Sequence, residues 1–121
     1  LYCVQTIIYV LTLEILLGRD DVNPNKLDND GQTPLWRAAC NGHEGVVKIL
    51  LGRDNVNPDK PGTSGGRTPL WGATYYRRER VVKILLRRDD VNPDKRDNDG
   101  QTPLWRAAYC GHKGVVKILL G

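Results

Sequence analysis

Thr33-Pro34-Leu35-Trp36 decides how this chain is read. The same tetrad returns as Thr68-Pro69-Leu70-Trp71 and as Thr102-Pro103-Leu104-Trp105, thirty-five and then thirty-four residues further on. A period of this size marks a stacked repeat, in which one short supersecondary unit recurs. The chemistry of the tetrad says how each unit begins. A threonine hydroxyl accepts from the orphan backbone N–H groups of a helix's first turn. A proline at the next position already has the helical φ, and it lacks only an N–H that would go unpaired there. Each tetrad therefore predicts a helix start, three times in one register.

Two further elements keep step with the tetrad. Val46-Val47-Lys48-Ile49-Leu50-Leu51 recurs over 81–86 and 115–120, and Val22-Asn23-Pro24 recurs as Val56-Asn57-Pro58 and Val91-Asn92-Pro93. The unit is a short helix, a tight turn, a second and more apolar helix, and a polar loop rich in Asp, Asn, Pro and Gly. Leu35, Ala38 and Ala39 share one side of the first helix, where small alanines allow close approach. Val46, Val47, Leu50 and Leu51 are expected inward on the second, with Lys48 toward solvent. Asp28-Asn29-Asp30-Gly31 predicts a tight turn, because Asn, Asp and Gly tolerate positive φ. Residues 28–39 and 97–108 are identical, which suggests duplication.

These residues resemble the ankyrin repeat. Gly31-Gln32-Thr33-Pro34-Leu35-Trp36-Arg37-Ala38-Ala39, then Asn41-Gly42-His43, then Val46-Val47 and Ile49-Leu50-Leu51 follow that family's pattern in order and spacing, and two further units repeat it. The style of the array is similar to those common in filamentous fungi. The chain departs from the pattern in three places. Tryptophan (Trp36, Trp71, Trp105) replaces the family's usual histidine after Thr-Pro-Leu. Asn-Pro stands in the loop where Gly-Ala-Asp is usual, and Arg77-Arg78 replaces the Gly-His of the other two turns. The resemblance implies an all-α repeat solenoid of stacked helix-turn-helix units joined by long hairpin-like loops. It further implies a concave face of loop tips and first helices that grips a protein partner.

At 121 residues the chain is expected to form a single domain over 1–121. Residues 1–32 read as a partial, degenerate repeat and loop, 33–67 and 68–101 as repeats, and 102–121 as a truncated repeat. The apolar stretch Ile7–Leu17 is too short for a membrane span, which needs about 20 residues. It reads instead as the second helix of the degenerate unit. With neither end of the stack capped by polar residues, end-to-end self-association through the uncapped repeats is expected. The net charge of +4 is too weak to name a partner by itself. Three cysteines without Cys-x-x-Cys spacing, and no visible signal peptide, fit an intracellular, cytoplasmic setting, with the nucleus also compatible.

No catalytic, metal or cofactor site is expected. His43 and His112 fall in different units without a second ligand at metal spacing, so a turn role is assigned to them. A calcium loop at Asp28 would need an acid two residues earlier, where Lys26 stands. The glycine-rich Pro61–Gly66 lacks the Gly-Lys-Ser/Thr ending of a phosphate loop and reads as a flexible finger. The expected partner-binding residues are Asn29, Asp30, Gln32, Ser64, Arg67, Asn98, Asp99 and Gln101 at the loop tips, and Cys40, Asn41, Tyr75, Tyr76, Tyr109 and Cys110 on the first helices. Trp71 and Tyr75 are spaced i, i+4, as are Trp105 and Tyr109, so each pair shares a helix face. The tryptophans are expected to pack between units, with the tyrosines carrying the contact. An alternative places nucleic acid or an acidic partner on Arg77, Arg78, Arg80, Arg87 and Arg88; nucleic acid is the less favoured partner. A third reading is an architectural spacer within a longer array.

Overall fold

The computed structural model describes residues 22–121. The expectations for the stretch 1–21, including its degenerate repeat, lie outside the described residues. Six helices follow one another in three pairs: α1 (Pro34–Asn41) with α2 (Glu44–Leu51), α3 (Pro69–Tyr75) with α4 (Glu79–Leu86), and α5 (Pro103–Cys110) with α6 (Lys113–Leu120). Each first helix starts as its tetrad predicts. Thr33, Thr68 and Thr102 are extended, and their hydroxyls accept from the N–H groups of Trp36, Trp71 and Trp105 at 3.0, 3.2 and 3.2 Å. Proline follows directly in all three.

First helices stack on first helices and second on second, so α1, α3 and α5 form one layer and α2, α4 and α6 the other. The core runs between them. Leu35, Ala38 and Ala39 meet Val46, Val47 and Leu50, and their counterparts Leu70, Ala73, Val81, Val82 and Leu85 repeat the arrangement. Leu51, expected inward, is only half-buried, because it sits at the last turn against the loop.

The turn between the paired helices needs a left-handed residue. Gly42 and Gly111 supply it at φ 72° in the first and third pairs. In the middle pair Arg77 takes that conformation at φ 60°, which costs a side chain about 1 kcal/mol. Next to the turns of the second and third pairs, a side chain reaches back to the preceding unit. His112 donates from Nδ1 to the Thr74 carbonyl at 3.1 Å, and Arg78 from Nε to the Cys40 carbonyl at 2.9 Å. The turn role expected of His112 is thus a structural contact between units.

The loops are stitched to one another in the same way. Thr63 N–H donates to the Gly31 carbonyl at 3.0 Å and Asn98 N–H to the Gly65 carbonyl at 2.9 Å. The glycine-rich finger is therefore tied at its tip to the loop before it and to the loop after it. Asp28 makes the expected tight turn: its Oδ1 accepts from the N–H groups of Asp30 and Gln32, and its Oδ2 from Arg37 at 2.9 Å. Those bonds, from the Gln32 backbone first and Arg37 next, hold the Asp28 carboxyl below its usual range.

Candidate partner-binding surface

The surface is built outward from the first helices. Trp71 is buried at 3% exposure, as the packing expectation requires, whereas Trp36 is half-buried and Trp105 is 43% exposed. Tyr75, one turn on, stacks flat against Trp71 with centroids 5.0 Å apart and planes 8° from parallel. Trp105 and Tyr109 reproduce the pair at 5.1 Å and 9°. Helical spacing of i, i+4 thus brings each aromatic pair together, as the sequence indicates. Tyr76 packs edge-on against Tyr75 at 4.9 Å. Tyr75, Tyr76 and Tyr109 remain 41%, 49% and 73% exposed, so this face offers a contiguous set of rings to solvent.

Two arginines are laid among these rings. The Arg67 guanidinium lies 4.2 Å from the Trp71 ring centre. Arg106 lies within 6 Å of four rings: Trp71, Tyr75, Trp105 and Tyr109 at 5.5, 5.9, 5.2 and 5.5 Å. A groove of about 300 Å³ opens beside them, walled by Gln32, Ser64 and Arg67 from the loops and by Trp36, Trp71, Tyr75, Tyr76 and Arg106 from the helices. The middle unit carries Gly72 where its neighbours have Arg37 and Arg106. A Cβ at Gly72 would run into Cys40 Sγ and approach Trp36, so the substitution lets α1 and α3 pack closely.

Not every expected surface residue is at the surface. Cys40 is 6% exposed, covered by α3 at Gly72, and burial pushes its thiol up to about 12. Gln32 is 8% exposed, its carboxamide folded against Gly62. Both are buried for one reason: the neighbouring unit covers the face they occupy. Asn29, Asp30, Ser64, Asn98 and Asp99 are exposed at the loop tips, with Arg67 and Gln101 half-buried. Asp30 is paired with Arg37 at 2.8 Å and Gln101 accepts from Arg106 at 2.9 Å. Asn41 is exposed and donates to the Arg37 carbonyl, and Cys110 is half-buried. Cys40 and Cys110 are free thiols.

The arginine cluster of the middle unit divides. Arg77, Arg78, Arg80 and Arg87 are exposed, with Arg78 also tied through its Nε to the Cys40 carbonyl. Arg88 is half-buried and engaged inside the fold. Arg88 donates to four backbone carbonyls of the preceding loop, those of Leu51, Arg53, Asp54 and Val56 at 3.3, 3.2, 3.5 and 2.8 Å, and pairs with Asp90 at 2.8 Å. Sequence reasoning missed this staple. Its signal was the recurrence of arginine in the sequence Leu-Leu-x-Arg-Asp, as Arg19, Arg53 and Arg88. Arg106, also missed, lies inside the stretch that is identical in two units.

Helix pairs stacked in two layers, with loops projecting at one edge and an aromatic face beside them, define a helical repeat solenoid. The sequence matches the family model for ankyrin repeats in 3 copies, over residues 3–97 and 58–121. The chain belongs to the ankyrin repeat family, whose members are generally non-enzymatic protein-interaction modules. No curated protein matches it. Among the described residues no helix is long and apolar enough to cross a membrane.

Proposed function

We propose that this array is a non-enzymatic scaffold that holds a protein partner against its loop tips and first helices. The observation that carries the reading is the exposed ring surface of Tyr75, Tyr76 and Tyr109, anchored on Trp71 and Trp105 and interleaved with Arg67 and Arg106. Aromatic and arginine side chains on a rigid frame are the residues that dominate binding energy at protein interfaces. The free thiols of Cys40 and Cys110 support a reducing intracellular setting, with the cytoplasm as the working compartment. Affinity capture from lysate tests the reading: a partner held by the wild type and lost by Tyr75→Ala/Tyr109→Ala supports it, and equal capture by a folded variant removes it.

The exposed end supports a second reading, end-to-end association of copies. An apolar recess of about 270 Å³ lies there, lined by Ala107, Ala108, Gly111 and Val116 with two lysine stems, and Leu120 is 69% exposed. The matching face of the middle unit is covered by the unit that follows it. Sedimentation velocity over a hundredfold concentration range should show a rising mass, abolished by Val116→Glu. A monomer at every concentration would remove this reading.

A further inference from the structure

We propose that the groove beside Tyr75 takes a carboxylate side chain from an acidic peptide segment, gripped between Arg67 and Arg106. The proposal rests on the protein-binding reading above and names the partner's chemistry. Two guanidinium groups line the groove and no acidic side chain does. Of the carboxylates in the neighbouring loops, Asp28 and Asp30 pair with Arg37, and Asp97 Oδ1 accepts from the N–H groups of Asp99 and Gln101 while its Oδ2 is buried without a partner. None of them lines the groove.

The hydrogen-bond inventory of the groove is lopsided. A guanidinium carries five donors. Arg106 gives one of them to Gln101 Oε1, and among the described residues Arg67 side-chain donors have no acceptor. The Nε groups of Arg67 and Arg106 and the indole nitrogens of Trp36 and Trp71 are buried without partners, against one unpaired acceptor, Gln32 Oε1. Buried donors without acceptors are rare in folded proteins. A carboxylate offers acceptors only, and its two oxygens match the planar fork of an arginine. The rings hold both guanidinium groups against them before the ligand arrives, so less order has to be imposed on binding.

A nucleic-acid strand fits these observations less well. A strand needs a track of cations along its backbone. Of the arginines that would continue the track, Arg88 is spent on carbonyls of the preceding loop, and Arg78 is tied through its Nε to the Cys40 carbonyl.

Selection of random dodecapeptides on phage against the wild-type protein, followed by fluorescence anisotropy of a selected synthetic peptide, tests the proposal. The selected peptides should carry a recurrent Glu or Asp. Replacing that residue by its amide should weaken binding to the wild type about tenfold, and binding to Arg67→Gln/Arg106→Gln by less than about twofold. Arg67→Lys, which keeps the charge and loses the fork, should retain part of the preference, and circular dichroism verifies that each variant is folded. Selected peptides without an acidic anchor, or an amide penalty undiminished in the double glutamine variant, would overturn the proposal while leaving the broader reading intact. No selected peptide at all, together with no captured protein, would overturn both. Oligothymidylate bound by the wild type and lost by the double variant would reassign the groove to nucleic acid and overturn the peptide proposal.

Discussion

Asn25 and Asp59 occupy the same register in successive loops and do the same job by different chemistry. Asn25 Oδ1 accepts from Asn57 N–H at 2.7 Å, and its Nδ2 donates to the Asn55 carbonyl at 2.7 Å. Asp59 Oδ2 accepts from Asn92 N–H at 2.8 Å, but its Oδ1 is buried without a partner. Burial pushes the Asp59 carboxyl up, against the opposing pull of the Asn92 N–H and Lys95. A carboxyl raised in the folded state favours folding while it is protonated, and that contribution is lost as pH rises through its folded value. At neutral pH Asp59 is therefore a liability, and an amide there could donate to the Asp90 carbonyl as Asn25 does to Asn55. Asp59→Asn should raise stability by about 1 kcal/mol at pH 7, a gain that shrinks toward pH 3. Urea denaturation at the two pH values measures it; a variant less stable at pH 7 would contradict the argument. At this scale the sequence was readable where the chemistry is local. Threonine caps and i, i+4 ring pairs depend on neighbours within one turn. The burial of Gln32 and Cys40 depends on a unit thirty residues away, and no local pattern carries it.

Among the elements, the joints between successive units decide how the stack holds together. Helix-on-helix packing supplies the apolar part, through Leu35, Leu70, Val47 and Val82. Arg88 supplies a polar part by pinning four carbonyls of the loop after α2. These carbonyls are partly shielded from water, so losing the guanidinium would leave them underpaired. Arg88→Ala should destabilise the array by about 2–3 kcal/mol, and Arg88→Lys should recover less than half of that, since an ammonium cannot spread over four acceptors. The urea midpoint reads both; a loss below about 0.5 kcal/mol for the alanine variant would show the staple to be idle. The repeat itself made the helices and their pairing readable. The staple was not, because an arginine beside Asp-rich loops reads as solvated charge until the next unit is placed beneath it.

For the molecule as a whole, the repeat period and the tetrads were enough to specify a two-layer solenoid, and the family match agrees with them. They were not enough to locate the binding face in detail. The rings were visible in sequence because Tyr75, Tyr76 and Tyr109 vary within a constant frame. The groove was not, because it forms from Gln32, Arg67 and Arg106, which belong to three different units. The central claim is that this composite face holds a protein. The measurement that tests it most directly is the dissociation constant of the captured partner for the wild type and for Tyr75→Ala/Tyr109→Ala, at low and moderate salt after nuclease treatment. Each tyrosine should contribute about 1–3 kcal/mol, so the double variant should bind at least about thirtyfold more weakly with its helix content unchanged, and the wild type should keep its partner at moderate salt. Equal affinity for a folded double variant, or a partner lost with nuclease or salt alone, would contradict the claim.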